Sequence, residues 1–175
     1  MDSTTSERVL SSFRSAGHDH RRCVQDALAR AEQLCQARGA RLTAIRRRIL
    51  ELVWQSHQPV LAYDLLDRLR LERARAAPPT VYRALEFLRE HGLVHRIESL
   101  NAYVGCADPR REHAGQFLIC DACGAVAELD DPEIGGLIEA RARGAGFEPA
   151  SQMVEVHGRC PRCRHGAPPA PVPAT

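Results

Sequence analysis

The chain has 175 residues, 44% of them hydrophobic, and a formal net charge of +2 at pH 7. That size and composition suit one ordinary domain or two small ones with a buried core, and exclude a chain too polar to fold. No stretch approaches the roughly 18 uninterrupted apolar residues of a membrane span, and residues 1 to 22 lack the apolar core of a signal peptide, so a soluble cytoplasmic protein is expected.

The small net charge hides an asymmetry. Residues 21 to 98 hold 15 Arg against 9 acids, and residues 99 to 165 hold 7 Arg against 10. A basic first half on an acidic second half points to nucleic acid at one end, although a solvated charged surface has the same composition. The seven cysteines are an odd number in a chain with no export signal, which favours metal over a disulfide framework.

Residues 1 to 22 read as a flexible N-terminal extension. The run "GHDHRRC" (His18, His20, Cys23) imitates a metal cluster but lies at this end and is read as tail. Val24, Ala27, Leu28, Ala31, Leu34 and Cys35 then recur at the spacing of a helix with one buried face, and Gly39 suits its C-terminal cap. Thr43 caps a second helix, "AIRRRILELVWQ", with Ile45, Ile49, Leu52 and Val53 inward. Arg46, Arg47 and Arg48 crowd its first two turns against the helix dipole, so a phosphate there would relieve a local cost.

A third helix, "AYDLLDRLRLE", follows the turn "SHQPV", and a fourth, "TVYRALEFLREHG", has Pro79 at its start and Gly92 past its end. Val81, Ala84, Leu85 and Leu88 form its buried stripe and leave Tyr82, Arg83, Glu86 and Arg89 outward. An outward Tyr-Arg pair in the first turn matches a helix-turn-helix reading helix; an ordinary wet helix face has the same pattern. "LVHRIES" and "AYVGC" alternate around "LN" as a two-stranded wing.

In the second half, "CDACG" (Cys120, Cys123) and "CPRCR" (Cys160, Cys163) stand 36 residues apart, across a strand, a helix and a strand. Four thiolates in two CxxC pairs suit tetrahedral structural zinc, closed to substrate. His95, Cys106 and His113 remain, with Glu128 on the strand after the first knuckle. Together they make an acceptable zinc set in which the thiolate disfavours iron(II). Taken singly they are a surface His, a small buried Cys and an exposed Glu.

Assembled, these pieces resemble the ferric-uptake-regulator family and, within it, the zinc-uptake regulators. The resemblance runs from about Val24 to Cys163 and rests on "RLTAIRRRIL", "AYDLLDRLR", "PPTVYRALEFLREHGLVHRIESLNAYVGC", "FLICDACGAVAEL" and "VHGRCPRC". It implies an α+β chain: a winged helix-turn-helix DNA-binding domain over 23–98, a hinge over 99–107, a small α/β dimerisation domain with a four-cysteine zinc site over 108–165, and a Pro-rich tail over 166–175. It implies two zinc ions per subunit, a structural one on Cys120, Cys123, Cys160 and Cys163 and a regulatory one on His95, Cys106, His113 and Glu128.

The expected activity is zinc-responsive binding of double-stranded operator DNA by a homodimer, repressing zinc-uptake genes. Tyr63, Thr80, Tyr82 and Arg83 are the implied DNA contacts, with Arg46 and Arg47 on phosphates. No membrane, small organic substrate or enzymatic activity is expected, since four protein ligands leave zinc no open position. Iron-responsive control is the alternative. Against it, "ADPRREHAGQFLIC" offers only His113 where iron- and peroxide-sensing relatives have a His-rich cluster, and Gln152 stands where they tend to have a metal-binding His.

Overall fold

Strand β1 (Val9–Ser11) precedes the first helix and belongs to a sheet made otherwise by the last third of the chain. In this computed structural model the described residues are 9–11, 13, 20–55, 58–110 and 115–166. They fall into two units, one from residues 15–112 and one from residues 113–175 with residues 1–14.

The described residues of the unit 15–112 form four helices and a three-stranded sheet. Helix α1 (His20–Ala37) ends in a Schellman turn: Gly39 takes φ +63°, and Ala40 N–H donates to the Cys35 carbonyl at 2.8 Å. Thr43 caps α2 (Ala44–Trp54), its hydroxyl accepting from Arg46 N–H. Strand β2 (Val60–Leu61) leads into α3 (Ala62–Glu72), and α4 (Pro78–Glu90) starts on two prolines. Gly92, at φ +68°, ends α4 with Leu93 N–H on the Leu88 carbonyl, and so turns the chain directly into β3 (Val94–Ile97). β4 (Ala102–Gly105) returns after a turn closed by Asn101 at φ +48°. Strand order is β2-β4-β3, with His95 opposite Val104 and Val60 opposite Tyr103. Leu28, Ala31, Ile49, Leu65, Leu69, Val81 and Leu88 fill the core, which Val94 and Tyr103 close from the sheet side. This is a winged helix-turn-helix in which α4 directly precedes the wing.

The second unit is a four-stranded sheet in the order β1-β6-β5-β7, with β5 (Gly115–Cys120), β6 (Val126–Leu129) and β7 (Met153–Gly158). β7 runs parallel to β5 after the crossover helix α5 (Pro132–Gly144), and the other pairs are antiparallel. Asp131 caps α5, and the buried Gln116 amide brackets the Asp131 backbone, donating to its carbonyl and accepting from its N–H. The short α6 (Pro161–Arg164) carries the last cysteine. Among the described residues no helix is long and apolar enough to cross a membrane.

The organisation departs from the sequence expectation in four places. Within the supposedly flexible 1–22, Val9–Ser11 pairs with β6, whose edge it covers. Helix α1 begins at His20, so His20 and Cys23 of the "GHDHRRC" run lie on a helix; His18 falls outside the described residues. The two-stranded wing read from "LVHRIES" and "AYVGC" is β3 with β4, and the bounds expected for the hinge, 99–107, take in its second strand. Strands β2 and β5 are not anticipated: β2 is only two residues long, and β5 is buried along most of its length and so lacks alternation.

Candidate metal centres and nucleic-acid interface

The parallel β5–β7 pair places Cys120 opposite Gly158 and so brings the two CxxC turns together. Each turn folds tightly, with Gly124 N–H on the Cys120 carbonyl and Arg164 N–H on that of Cys160. The four sulfurs of Cys120, Cys123, Cys160 and Cys163 lie within 4.8 Å of one another, and Cys123 and Cys160 are 3.8 Å apart. Zinc–sulfur bonds of about 2.3 Å in a tetrahedron put sulfurs about 3.8 Å apart, so the cage has the size and donor set zinc requires. All seven cysteines are free thiols. Phe13 and Ala125 pack against the cage's buried cysteines, Cys120, Cys123 and Cys160.

Burial pushes the Cys120 thiol up, but N–H groups of Cys160, Cys123 and Ala122 directed at its sulfur outweigh this and bring it down to about 6. Cys160 N–H approaches that sulfur at 3.3 Å. Cys163 is pushed up to about 12, first by burial and then by hydrogen bonds with the neighbouring thiols, and burial also raises Cys123. The Cys120 thiolate thus forms readily, while ionisation of Cys123 and Cys163 awaits a compensating cation.

The leftover ligand-type residues divide between the units. His95 pairs with Val104, and alternation along β4 puts Cys106 on the same sheet face as Val104, two residues on. Their donor atoms lie within 4.8 Å, and Cys106 is only 2% exposed. An imidazole and a thiol at this separation suit zinc better than hard cations. Glu128 belongs to β6 of the other unit. It is 2% exposed, which removes the reading of an exposed Glu, and its N–H donates to Ser11 Oγ at 3.0 Å. His113 lies outside the described residues.

On α4, Val81, Ala84, Leu85 and Leu88 are buried as their spacing predicts, and Phe87 joins them. Tyr82 is 47% exposed, Arg83 is exposed, Thr80 is half-buried in the first turn, and Tyr63 on α3 is 66% exposed. The α2 arginines are already engaged. Arg46 donates to the Arg41 carbonyl and lies over the Phe87 ring at 3.5 Å, Arg47 pairs with Glu32, and Arg48 with Glu51 and Glu72. The local cost at the start of α2 is therefore met within the chain, by acids from α1, α2 itself and α3 that helical spacing on α2 alone does not reveal.

Residues beside the sites also escape sequence reasoning. Ser11 and Phe13 carry no motif. Trp54 and Arg30, which contact the residues flanking Cys106, are distant in sequence. The one available signal is a glycine directly before a ligand-type cysteine, in a chain with a single Trp.

The sequence pattern described as the ferric uptake regulator family matches residues 37–157. The zinc uptake regulation protein of Escherichia coli (strain K12) is 42% identical over 141 residues, covering 80% of this chain and 82% of its own. That of Mycobacterium tuberculosis (strain ATCC 25618 / H37Rv) is 32% identical, covering 73% and 98%. Among solved structures, a zinc uptake regulator complexed with zinc and DNA matches with a TM-score of 0.78 at 41% identity, covering 81% of this chain and 95% of that one. Holo XcZur matches with a TM-score of 0.75 at 46% identity, covering 79% and 97%. The chain belongs to the ferric uptake regulator family.

Proposed function

We propose that the protein is a zinc-responsive transcriptional regulator, acting in the cytoplasm as a homodimer on double-stranded operator DNA and repressing zinc-uptake genes. The observation that carries this reading is the His95–Cys106 pair on the sheet that directly follows an exposed Tyr82–Arg83 reading helix. A metal-ligand pair and a DNA-reading face thus share one rigid unit. The likeness to zinc uptake regulators, one of them complexed with zinc and DNA, supports it.

In this reading each subunit takes two zinc ions. Bound zinc supplies a dication that neutralises thiolate and carboxylate and fixes four ligands in a tetrahedron. Cys120, Cys123, Cys160 and Cys163 hold the structural ion. His95 and Cys106 give the wing's share of the regulatory site, and His113 and Glu128 give the dimerisation domain's. The stretch from β4 to Cys106, inside residues 99–107, doubles as wing strand and hinge. Ligation there limits how the reading heads move, lowering the ordering cost of meeting half-sites about 34 Å or a multiple apart. Thr80, Tyr82 and Arg83 reach base edges with Tyr63 alongside. Arg46 and Arg47 face phosphates but contribute less than free arginines, since each is shared with an intrachain partner. The protein works as a switch and not as a catalyst, because four protein ligands leave no position for substrate water.

Metal selectivity tests this proposal against iron-responsive control, which the softness of Cys106 and the absence of a His at position 152 disfavour. Operator binding is expected to tighten with buffered free zinc and not with iron(II). Tightening with iron(II) alone would replace zinc with iron as the signal.

A further inference from the structure

Three contacts fix the backbone around Cys106, all inside the N-terminal unit. Its own N–H donates to the Leu93 carbonyl at 3.1 Å, one step beyond the β3–β4 ladder. On the preceding residue, the Trp54 indole lies so close that a Cβ on Gly105 would overlap its Cε2 and Nε1. On the following residue, Arg30 Nη1 donates to the Ala107 carbonyl at 3.1 Å. Arg30 Nε also donates to the Asp26 carbonyl one turn back on α1, so the guanidinium is itself oriented.

The direction of these contacts matters. Gly105 does not have a positive φ, so the indole and not the backbone conformation excludes a side chain there. Alternation places Gly105 on the sheet face with Val94 and Tyr103, which closes the helical core, and places Cys106 on the opposite face with His95. The α2 indole therefore backs the strand from behind while the thiol faces the imidazole. A ligand fixed in this way loses little freedom when a metal binds, whereas a loop cysteine must be ordered at that moment.

We propose that Trp54 and Arg30 are positioning residues for Cys106, holding its thiol toward His95 before metal arrives. The inference rests on reading Cys106 as a ligand of the regulatory zinc, and the test separates the two ideas. Full-length protein carrying its structural zinc is compared as wild type, Arg30→Gln, Arg30→Lys, Gly105→Ala and Cys106→Ser. Competition with a chromophoric chelator gives the affinity for the second zinc equivalent. Thermal unfolding and operator binding at saturating zinc are measured alongside, and emission of Trp54, the chain's one tryptophan, is followed through the titration.

Arg30→Gln and Gly105→Ala should each weaken the second zinc by about 10-fold, the scale for partners that orient a metal ligand. Both should keep wild-type operator affinity once zinc saturates, and Arg30→Lys should recover part of the loss because an ammonium can still donate to the carbonyl. Trp54 emission should respond to the second equivalent in wild type and not in Cys106→Ser. Unchanged zinc affinity in Arg30→Gln and Gly105→Ala, with Cys106→Ser losing the second equivalent, overturns the positioning role. So does a loss that tracks thermal stability and persists in operator binding at saturating zinc. A Cys106→Ser protein that keeps the second equivalent overturns the site itself.

Discussion

All four sulfurs of the Cys120 cluster come from one unit, brought side by side by one pair of parallel strands. Among the described residues of the N-terminal unit, by contrast, His95 and Cys106 stand together on a sheet face braced from behind by α1 and α2. A cage complete within one fold is suited to building that fold. In the function proposed, a pair of ligands that is not a complete set by itself is suited to sensing. If the proposed assignments hold, ligand chemistry alone does not separate a structural from a regulatory metal; the way the ligands are distributed over the chain does.

Removing one ligand from each site should separate the two most strongly. Cys160→Ser should cost the C-terminal unit much of the roughly 10 kcal/mol that structural zinc gives small metallo-domains, seen as loss of its sheet to proteolysis while α1 to α4 persist. Cys106→Ser should cost only about 1–2 kcal/mol, that of a hydroxyl in a buried thiol's place, with one zinc equivalent lost and the fold kept. Equal damage from both would erase the distinction.

A second test concerns the reading face. Arg83→Ala should remove about 1–3 kcal/mol of discrimination between operator and random duplex. Equal weakening on both DNAs would show Arg83 contacting phosphate instead of a base. Phe13→Ala should destabilise the cysteine cage by about 1 kcal/mol, as expected for a half-buried ring, and speed alkylation of its thiols after metal removal. Alkylation at the wild-type rate would mean that Phe13 does not shield them.

The cage also has a pH signature. In metal-stripped protein, thiolate ultraviolet absorbance should show one group ionising near pH 6, at Cys120, while Cys163 stays protonated to about 12. Because Cys120 is lowered from a free-thiol value of about 8.5, it stabilises fully above that pH and loses the contribution as pH falls through 6. Cys163, raised, acts oppositely and costs stability as pH climbs above about 8.5. Absence of any thiolate below pH 8 would contradict the arrangement of N–H groups around Cys120. The smallest effect is expected at Arg47. It shares an exposed ion pair with Glu32, so Arg47→Ala should change stability by about 0.2–1 kcal/mol and the salt dependence of DNA binding by less than one phosphate contact.

What the sequence makes legible follows the reach of each signal. The CxxC pairs, Thr43 at the start of α2, the buried stripe of α4 and Gly92 at its end are all local, and each lies where spacing places it. Strand β5 is illegible because its continuous burial removes alternation, and β1 because three residues of an extension carry no period. The arginines of α2 mislead in a different way. The dipole argument correctly finds a cost there but cannot foresee that Glu32 and Glu72, from other helices, meet it. The contacts of Trp54 and Arg30 beside Cys106 join residues 51 and 77 positions apart, which no local pattern encodes.

The wing's role as the switch is tested by operator affinity against buffered free zinc for wild type and Cys106→Ser, both carrying the structural ion. Wild type should tighten as zinc rises, while the variant stays folded and weak throughout. A Cys106→Ser protein that responds to zinc as wild type does would contradict that role, and would move the switch away from the wing.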